Sequence, residues 1–449
     1  MSNLMVSVSG VRGIVGVGLT PEVVMGFAQA FGAYIHSGKV VVGRDSRVTG
    51  EMLRNAVCAG LMAVGCDIID IGVCPTPTTQ LAVENLEAEG GIMITASHNP
   101  IMWNGLKLIG ADGLFLDVEQ GEAVLKITQS RKYDFANWDK IGVAVSYSKA
   151  VEDHIKAILD LPFIHVEEIR KRQFKVVLDC VCGAGANLVP ALLHELGCQT
   201  IPMNCEPTGL FPGNPEPLPE NLADLCARVK QEHADLGVAV DPDSDRLALV
   251  SEKGEPLGEE KTLAIAVKHV LSKKRGHIVI NASTSLITEE IAHAHGAKVF
   301  RTKVGEIHVA KKMREIGAVI GGEGNGGVIL PEVHLGRDAP VGIALVLQQL
   351  VEFGGPLSAL SDSLPHYVIT KSKLELKKLE PKAALDKIRD LYKNETLDFT
   401  DGIKIVRPNS WVHIRPSNTE PIIRVIAEAP TAQESERLCS EIINQISNR

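Results

Sequence analysis

Three short apolar runs of this chain each end in a polar loop, and this repeated pattern most constrains the fold. The runs are Gly91 to Ile94, Leu236 to Val240 and Val319 to Gly322. Continuous apolar runs of this kind are typical of strands that are covered on both faces, as in parallel sheets. Proteins with such sheets carry functional residues in the loops at the carboxyl ends of the strands. We therefore expect an α/β fold whose site is assembled from these loops.

Segments with strand-like and helix-like patterns alternate around these runs, which favours βαβ units and mainly parallel sheets. The predicted strands cover residues 39–43, 66–71, 91–95, 175–179, 198–202, 236–240, 247–250, 277–281, 298–301 and 319–322. The predicted helices cover residues 49–64, with Thr49 as the cap, 75–85, 187–196, 221–232, 260–271, 285–295 and 305–316. The order repeats, so we predict three related α/β domains with mainly parallel mixed sheets, at residues 1–150, 151–254 and 255–365.

The last part of the chain has a different pattern. Its predicted strands cover residues 367–376, 403–406, 411–415 and 422–427, and its predicted helices cover 381–392 and 432–446. Closely spaced strands flanked by helices favour an antiparallel sheet, so we predict an α+β domain at residues 366–449.

Length and charge limit the classes of protein and partner. A chain of 449 residues is too long for one ordinary core, and a net charge of −9 without a basic tail argues against nucleic acid as a partner. A phosphorylated ligand would need a local basic pocket. No apolar run reaches the roughly 18 residues of a membrane span and the start lacks a signal pattern, so we expect a cytoplasmic protein and no membrane partner. The nine scattered cysteines favour reduced thiols over a zinc site.

The loop from Thr95 to Pro100 follows the first apolar run and is the predicted centre of the chemistry. Ser97 could serve there as a nucleophile, as a phosphate carrier or as a plain turn residue, and the loop taken alone favours the turn. Three further polar loops, 241–246, 321–327 and 415–421, strengthen the functional interpretation, because four such loops would form the walls of one cleft.

Three aspartates alternate along the second of these loops and can converge on one cation. They are Asp241, Asp243 and Asp245, and a set of oxygen ligands favours Mg²⁺ over zinc. A calcium EF-hand is excluded because Arg246 stands where that loop needs glycine. The alternative is three solvated turn residues. A phosphorylated Ser97 would add about two negative charges for the ion to balance, and Arg246 would add a charge-assisted contact.

The other two loops suit the parts of a sugar phosphate. Glu323 lies among five glycines next to Asn325, and such a backbone lets a sugar diol approach a carboxylate closely; the alternative is a flexible hairpin. The last loop suits a phosphate that is held without being cleaved; the alternative is an ordinary turn. Its donors are Arg415, Ser417, Asn418 and Thr419, followed by Arg424.

The four loops, in this order, resemble those of the α-D-phosphohexomutases, a family that includes phosphoglucomutase, phosphomannomutase and phosphoglucosamine mutase. The resemblance also includes residues 9–13, 43–47 and 104–107 and covers nearly the whole chain. It implies three related α/β domains and a smaller fourth domain around a central cleft. It further implies an enzyme that interconverts a hexose 1-phosphate and a hexose 6-phosphate through a phosphoserine and a hexose 1,6-bisphosphate.

The resemblance also implies roles for single residues. Lys107 and Arg12, which on an arbitrary surface would face solvent, become acid/base and phosphate-contact candidates. Arg246 would contact the phosphoserine, and Glu323 and Asn325 would recognise the sugar. The implied catalytic residues are Ser97, His98, Lys107 and Arg12, and the implied ligands of one Mg²⁺ ion are Ser97, Asp241, Asp243 and Asp245.

The chain departs from the family pattern in one loop. Several members have Gly-Glu-x-Ser-Gly-His where this chain has Glu323, Gly324, Asn325, Gly326 and Gly327, with neither the serine nor the histidine, which argues against a proton-transfer role for position 327. The opening and this loop are most similar to archaeal-type phosphoglucosamine mutases, so we rank glucosamine phosphate before glucose or mannose phosphate. The alternative from another class is a sugar-phosphate-binding protein without catalysis. We expect a monomer or homodimer.

Overall fold

The computed structural model describes residues 4–7, 10–375, 380–416 and 422–447. Within these ranges the chain forms three mixed sheets and one antiparallel sheet, with helices packed against them. The predicted fold class, α/β units followed by an α+β unit, is confirmed. Among the described helices, none combines the length and the apolar character that crossing a bilayer requires.

The first sheet has seven strands in the order β1-β2-β6-β5-β3-β4-β7. Its strands are β1 (Leu4–Ser7), β2 (Gly10–Ile14), β3 (Gly38–Arg44), β4 (Cys66–Val73), β5 (Gly90–Ile94), β6 (Trp103–Gly110) and β7 (Ala144–Ser146), and its helices are α1 (Pro21–Tyr34), α2 (Gly50–Ala63), α3 (Thr76–Asn85) and α4 (Val118–Ser130). β3 runs parallel to β4 and β5, whereas β6 is antiparallel to β5. A parallel crossover needs about a dozen residues, so the short connection 95–102 makes β6 return antiparallel.

The second sheet has four strands in the order β11-β10-β8-β9. Its strands are β8 (Lys175–Asp179), β9 (Gln199–Met203), β10 (Leu236–Val240) and β11 (Leu247–Ser251), and the helices of this part are α5 (Ala150–Leu159), α6 (Val166–Arg172), α7 (Val189–Glu195) and α8 (Ala223–Glu232). β8 is parallel to β9 and β10, and β11 is antiparallel to β10.

The third sheet has five strands in the order β13-β12-β14-β15-β16. Its strands are β12 (Ile278–Asn281), β13 (Val299–Thr302), β14 (Ile320–Glu323), β15 (Gly327–Leu330) and β16 (His334–Arg337), and its helices are α9 (Glu259–Lys273), α10 (Leu286–Ala294), α11 (Glu306–Ile316), α12 (Ala339–Phe353) and α13 (Leu357–Asp362). β12 is parallel to β13 and β14, and β14, β15 and β16 form an antiparallel meander.

The fourth sheet is antiparallel, in the order β17-β21-β20-β19-β18. Its strands are β17 (Val368–Glu375), β18 (Thr396–Asp398), β19 (Ile403–Arg407), β20 (Ser410–Pro416) and β21 (Ile422–Ala429), with helices α14 (Pro381–Leu391) and α15 (Ala432–Ser447) on it. The apolar faces of both helices pack against the inner face of this sheet and form a core of their own.

The same connection recurs at each predicted loop of the first three sheets. Residues 95–102, 241–246 and 324–326 each join a parallel strand to the antiparallel strand beside it. Such a tight return leaves no room for a covering helix, so the polar residues of the loop stay at the carboxyl end of the sheet. The repeated geometry explains why the three loops can face one cleft.

Helix α3 holds the first three sheets together through buried polar side chains. Thr76 Oγ1 donates to Asp243 Oδ2 (2.6 Å), and Gln80 Nε2 donates to Glu306 Oε1 (3.2 Å). Thr78 Oγ1 lies 2.9 Å from Nδ1 of the buried His154. Buried polar groups that are fully hydrogen-bonded specify a geometry more strictly than apolar contacts do. The helix therefore fixes the loops of the second and third sheets relative to the first.

Several details differ from the sequence predictions: among the helices, α1, α4, α5, α6, α12 and α13 have no predicted counterpart. Thr49 occupies the cap position of α2, but its hydroxyl accepts a hydrogen bond from Asn104 Nδ2 (3.0 Å) and makes no cap bond to the helix. The helix α12 has no predicted counterpart, because it is buried along nearly its whole length and lacks the polar face that marks an amphipathic helix.

Candidate active site

Ser97 lies just after β5 in a conformation that needs support from its neighbours. Its φ of 50° is in the left-handed region, which is uncommon for residues other than glycine. The Ser97 amide donates to Thr95 Oγ1 (2.8 Å), and that hydroxyl donates to Asp45 Oδ2 (2.6 Å). The turn therefore rests on a buried network and presents the Ser97 hydroxyl to the second sheet.

Arg47 holds this loop through hydrogen bonds to its backbone carbonyl oxygens. The sequence does not predict Arg47 as a site residue. Its buried guanidinium donates to the carbonyl oxygens of Ser97 (2.6 Å), Asn99 (2.7 Å), Pro100 (2.8 Å) and Trp103 (2.9 Å). Its Nε donates to Asp45 Oδ2 (3.0 Å). The sequence offers the motif at residues 43–47 as a signal, but nothing in it shows that the arginine points inward.

The three predicted metal-binding aspartates converge. One carboxylate oxygen each from Asp241, Asp243 and Asp245 lies within 4.8 Å of the other two, and all three side chains are buried. Ser244 between them has a φ of 54°, which bends the loop so that alternate carboxylates meet. The Ser97 hydroxyl donates to Asp241 Oδ2 across 3.2 Å. The predicted four-residue set is thus brought together.

The donor set fits a hard divalent cation. Asp243 Oδ1 and Asp245 Oδ1 are buried and have no hydrogen-bond partner among the described residues, although Arg246 Nε lies 3.8 Å from Asp245 Oδ1. Such oxygens are costly to bury unless a cation faces them. Burial next to two other carboxylates raises the pKa of Asp241 well above its ordinary value. Burial acts in the same sense on Asp243, but the Lys107 ammonium outweighs it and holds the pKa of that carboxyl well below its usual range. Three oxygen donors of this kind suit Mg²⁺.

Buried cations surround the aspartates. Lys107 Nζ donates to Asp243 Oδ2 (2.6 Å) and Asp245 Oδ2 (3.2 Å). Arg337 Nη2 donates to the same Asp245 oxygen (2.6 Å), and Arg246 Nη1 donates to Glu216 Oε1 (2.9 Å). Three basic side chains thus lie beside the aspartates, and each of them is paired with at least one carboxylate.

His98 and Arg12 complete the surroundings of the Ser97 hydroxyl. His98 Nδ1 lies 3.2 Å from Ser97 Oγ, and Arg12 Nη1 donates to Asn99 Oδ1 (3.4 Å). Burial, together with the charges of Arg246 and Arg12, lowers the pKa of His98 to about 2. The imidazole is therefore neutral at physiological pH, and a pKa this low makes it a weak base in these surroundings.

Glu323 is held as a fixed carboxylate at the end of β14. Its Oε1 accepts from Asn281 Nδ2 (2.9 Å) and from the Gly305 amide (2.8 Å), and its Oε2 lies 3.2 Å from Arg337 Nη1. Asn325 Oδ1 accepts from the Gly327 amide (3.2 Å), so this side chain also shapes the hairpin turn. The arginine links Glu323 to the aspartate loop.

Arg415 lies at the end of β20 directly opposite Arg424 of β21. Burial lowers the pKa of Arg415, the nearby Arg424 acts in the same sense, and Asp401 and Glu323 partly offset both effects. Its Nε is buried without a partner among the described residues. Two adjacent guanidinium groups favour an anion between them. Ser417, Asn418 and Thr419, the other predicted donors, lie outside the described residues.

The chain matches four family models in order. Their descriptions are phosphoglucomutase/phosphomannomutase α/β/α domain I at residues 4–134, domain II at 152–254, domain III at 259–367, and the C-terminal domain at 371–445.

Two curated relatives and one solved structure resemble the chain along nearly its full length. A probable phosphoglucosamine mutase of Methanopyrus kandleri is 39% identical over 97% of this chain and 96% of its own. A phosphoglucomutase/phosphomannomutase of Thermococcus kodakarensis is 40% identical over 95% of this chain and 94% of its own. The crystal structure of a phosphoglucomutase/phosphomannomutase family protein of Burkholderia thailandensis is 27% identical, covers 99% of both chains and superposes with a TM-score of 0.87.

Proposed function

The chain belongs to the phosphoglucomutase/phosphomannomutase family and is a phosphohexomutase, and from that premise we propose that Ser97 carries the phosphoryl group between the two ends of the sugar. The observation that supports this role is the position of the Ser97 hydroxyl, 3.2 Å from Asp241 Oδ2 in the loop to which the buried Lys107 and Arg337 donate. Phosphoryl transfer depends mainly on positioning and electrostatics, and this setting supplies both.

The transfer consists of two exchanges of one P–O bond. In the first, the bond from phosphorus to Ser97 Oγ breaks and Ser97 Oγ takes up a proton, while a bond from phosphorus to the free sugar oxygen forms and the proton of that hydroxyl passes to a base in the cleft. The sugar then carries two phosphates as a hexose 1,6-bisphosphate. In the second, the other phosphate moves to Ser97 and the freed sugar oxygen takes up a proton. The Ser97 proton passes to His98 Nδ1, 3.2 Å from Ser97 Oγ, whose basicity the negative charges of the two phosphates would raise.

Lys107 has a different role because its surroundings keep it charged. Burial acts against the ammonium, but Asp243 and Asp245 raise its pKa above the ordinary value. We assign it to stabilising negative charge on the transferring group. Arg12 and Arg246 would contact the phosphoserine.

The carboxylate oxygens and the serine hydroxyl at this site suit Mg²⁺. Ser97, Asp241, Asp243 and Asp245 would hold the ion, and the buried unpartnered oxygens of Asp243 and Asp245 are the observation that favours it. When bound, such an ion offsets negative charge at the phosphoryl group.

The other two loops would hold the parts of the sugar that do not react. Arg415, with Arg424 across the strand pair, would bind the second phosphate together with Ser417, Asn418 and Thr419. Glu323 and Asn325 would contact the ring hydroxyls. We also assign the four domains to residues 1–150, 151–254, 255–365 and 366–449.

Glucosamine phosphate is the substrate that we propose first, because the Methanopyrus relative is named for it. Glucose and mannose phosphates are second, because the equally similar Thermococcus relative is named for those two sugars. Initial rates with the three hexose 1-phosphates, measured side by side, decide between them.

The variant Ser97→Ala tests the carrier role. It should abolish mutase turnover and remove the added mass of one phosphate group from the intact protein, while leaving the melting temperature nearly unchanged. Ser272→Ala is the control, because it deletes a serine hydroxyl that bonds only a helix carbonyl, that of His269 (2.6 Å). Turnover above about a tenth of wild type, equivalent to about 1.4 kcal/mol of barrier, would exclude Ser97 as the carrier.

A further inference from the structure

Arg337 joins three carboxylates that belong to three different elements. It ends β16, and its side chain is buried. Nη2 donates to Asp245 Oδ2 (2.6 Å) in the aspartate loop, and Nε donates to Glu306 Oε2 (2.9 Å) at the start of α11. Nη1 lies 3.2 Å from Glu323 Oε2. One planar guanidinium therefore links the metal-binding loop to the sugar-binding loop.

Gly327 makes the path of this side chain possible. It pairs with Glu323 across the β14–β15 hairpin. A Cβ atom at position 327 would lie 2.3 Å from Cδ and 2.9 Å from Cγ of Arg337, distances that no real Cβ contact shows. Its φ is outside the left-handed region, so the backbone itself does not require glycine. The aliphatic part of the Arg337 side chain occupies the space that a side chain at position 327 would need. Position 327 belongs to the loop in which the chain departs from the family pattern.

The contacts of Arg337 also reach the first sheet unit. An arginine side chain stays charged in proteins, and this one faces three carboxylates. Glu306 also accepts a hydrogen bond from Gln80 of α3 (3.2 Å). The guanidinium is thus anchored to the first sheet unit on one side while it holds two site carboxylates on the other.

We propose that Arg337 is a positioning residue that orients Asp245 toward the divalent cation and Glu323 toward the sugar, and that position 327 is glycine so that Arg337 reaches both. Its bond to Asp245 Oδ2 leaves Oδ1, which is buried and accepts no hydrogen bond from the described residues, to face the ion together with Arg246 Nε at 3.8 Å. Metal affinity and sugar preference are therefore set by one side chain. This inference rests on the functions proposed for the two loops.

Two single variants and their combination test the link. Arg337→Lys keeps the positive charge but lacks the planar guanidinium, so it cannot reproduce the geometry of the three carboxylate contacts. Gly327→Ala keeps Arg337, but the added methyl group displaces the aliphatic part of its side chain. Each should weaken Mn²⁺ binding to the sugar-free protein by about tenfold or more, the usual effect of losing a partner of a metal ligand. Each should also change the ranking of the three hexose 1-phosphates by kcat/KM. Because both act on one contact, the double variant should bind Mn²⁺ about as well as Arg337→Lys alone.

Matched controls separate positioning from general damage. Gly26→Ala adds a Cβ atom where nothing lies within 4 Å. Arg301→Lys breaks a bonded arginine, one that donates to Glu289 Oε2 (2.6 Å) and to the Thr284 carbonyl (2.8 Å). Both controls should keep the Mn²⁺ affinity and the sugar ranking, even where the melting temperature falls.

The outcomes that overturn the inference are distinct from failure of the proposed function. The inference would be overturned if the Arg337→Lys protein folds and keeps the wild-type Mn²⁺ affinity and sugar ranking. It would also be overturned if the losses of Mn²⁺ affinity in Gly327→Ala and Arg337→Lys add up in the double variant. If Arg337→Lys does not fold, Gly327→Ala alone decides, since it retains every charged group. Failure of the proposed function would appear in the wild-type protein itself, as absence of mutase turnover.

Discussion

The guanidinium of Arg47 donates a hydrogen bond to the carbonyl oxygen of Ser97 across 2.6 Å, although 50 positions separate the two residues. The same group also holds the carbonyl oxygens of Asn99, Pro100 and Trp103. Ser97, which we propose as the phosphoryl carrier, has a left-handed backbone and is fixed by a side chain from another loop. We therefore expect catalysis to depend on Arg47 through the geometry of the Ser97 loop.

Arg47→Met should lower both stability and turnover. It leaves Asp45 without its cationic partner and several buried carbonyl oxygens without their side-chain donor, and breaking a buried ion pair in this way costs about 3–5 kcal/mol. The free energy of unfolding from urea titrations measures the first effect, and initial rates measure the second. Arg44→Met is the control, because Arg44 pairs with the largely exposed Glu51 and should change stability by less than about 1 kcal/mol.

If Arg47→Met does not fold, Arg47→Lys provides the same test with the charge retained. A lysine cannot reproduce the planar fork, so turnover should still fall while the protein stays folded. Wild-type turnover in a folded Arg47→Lys protein would mean that the clamp has no part in catalysis.

Asp243→Asn should weaken binding of a divalent cation by at least about tenfold, equivalent to about 1.4 kcal/mol. The affinity of a hard-cation site follows its number of charged oxygen ligands. Titration with Mn²⁺ measures the effect, and treatment of the wild-type protein with a chelator should stop turnover until Mg²⁺ is added back. Asp224→Asn, which changes an exposed aspartate in α8, is the matched control. Undiminished turnover in chelator would show that the aspartates are structural.

Arg415→Ala should weaken all hexose phosphates alike. A hydrogen bond to a charged group contributes about 1.5–3 kcal/mol, which predicts a roughly ten- to hundredfold fall in kcat/KM for each sugar. The order of preference among the sugars should not move, since the arginine is assigned to phosphate. Arg407→Ala is the control, because Arg407 lies on β19 of the same sheet and pairs with Glu395 (2.8 Å).

Glu323→Gln should have the opposite effect and reorder glucosamine, glucose and mannose phosphates. Glutamine has nearly the same size as glutamate, but it lacks the negative charge that faces Arg337 and that we assign to the ring hydroxyls. Values of kcat/KM for the three sugars measure the change. Should Arg415→Ala reorder the sugars while Glu323→Gln weakens them equally, the roles of the two loops would be exchanged.

Glu260 should make the protein less stable as the pH rises. Burial raises its pKa from 4.5 to about 8, and Glu428 adds to the rise. Between those two values the unfolded carboxyl has lost its proton while the folded one keeps it, so the stabilisation present below pH 4.5 is lost as the pH approaches 8.

Glu260→Gln should remove this part of the pH dependence, because an amide of the same shape has no charge to bury and still accepts from the Ser285 amide. The measurement is the urea midpoint between pH 4.5 and 8 for wild type and variant, with the exposed Glu255→Gln as the control. Parallel curves for wild type and Glu260→Gln would contradict the assignment.

Local patterns in the sequence were sufficient for much of this protein. The apolar run ending at Ile94 and the one from Leu236 to Val240 form buried strands as predicted, because continuous β-branched and apolar residues specify such strands without distant partners. The spacing of Asp241, Asp243 and Asp245 likewise predicts convergence in a tight loop. These features depend on residues that are close together in the chain.

The contacts that complete the site depend on residues that are distant in the chain, and only the tertiary structure decided them. Arg47 reaches the Ser97 loop, and Arg337 reaches both Asp245 and Glu323, across positions that no local pattern connects. The sequence shows that a position is arginine but not whether its side chain points inward, because that direction is set by the packing of separate sheets. The sequence alone therefore determined which loops are the candidates for the site, whereas the packing of the sheets determined which side chains hold these loops in place.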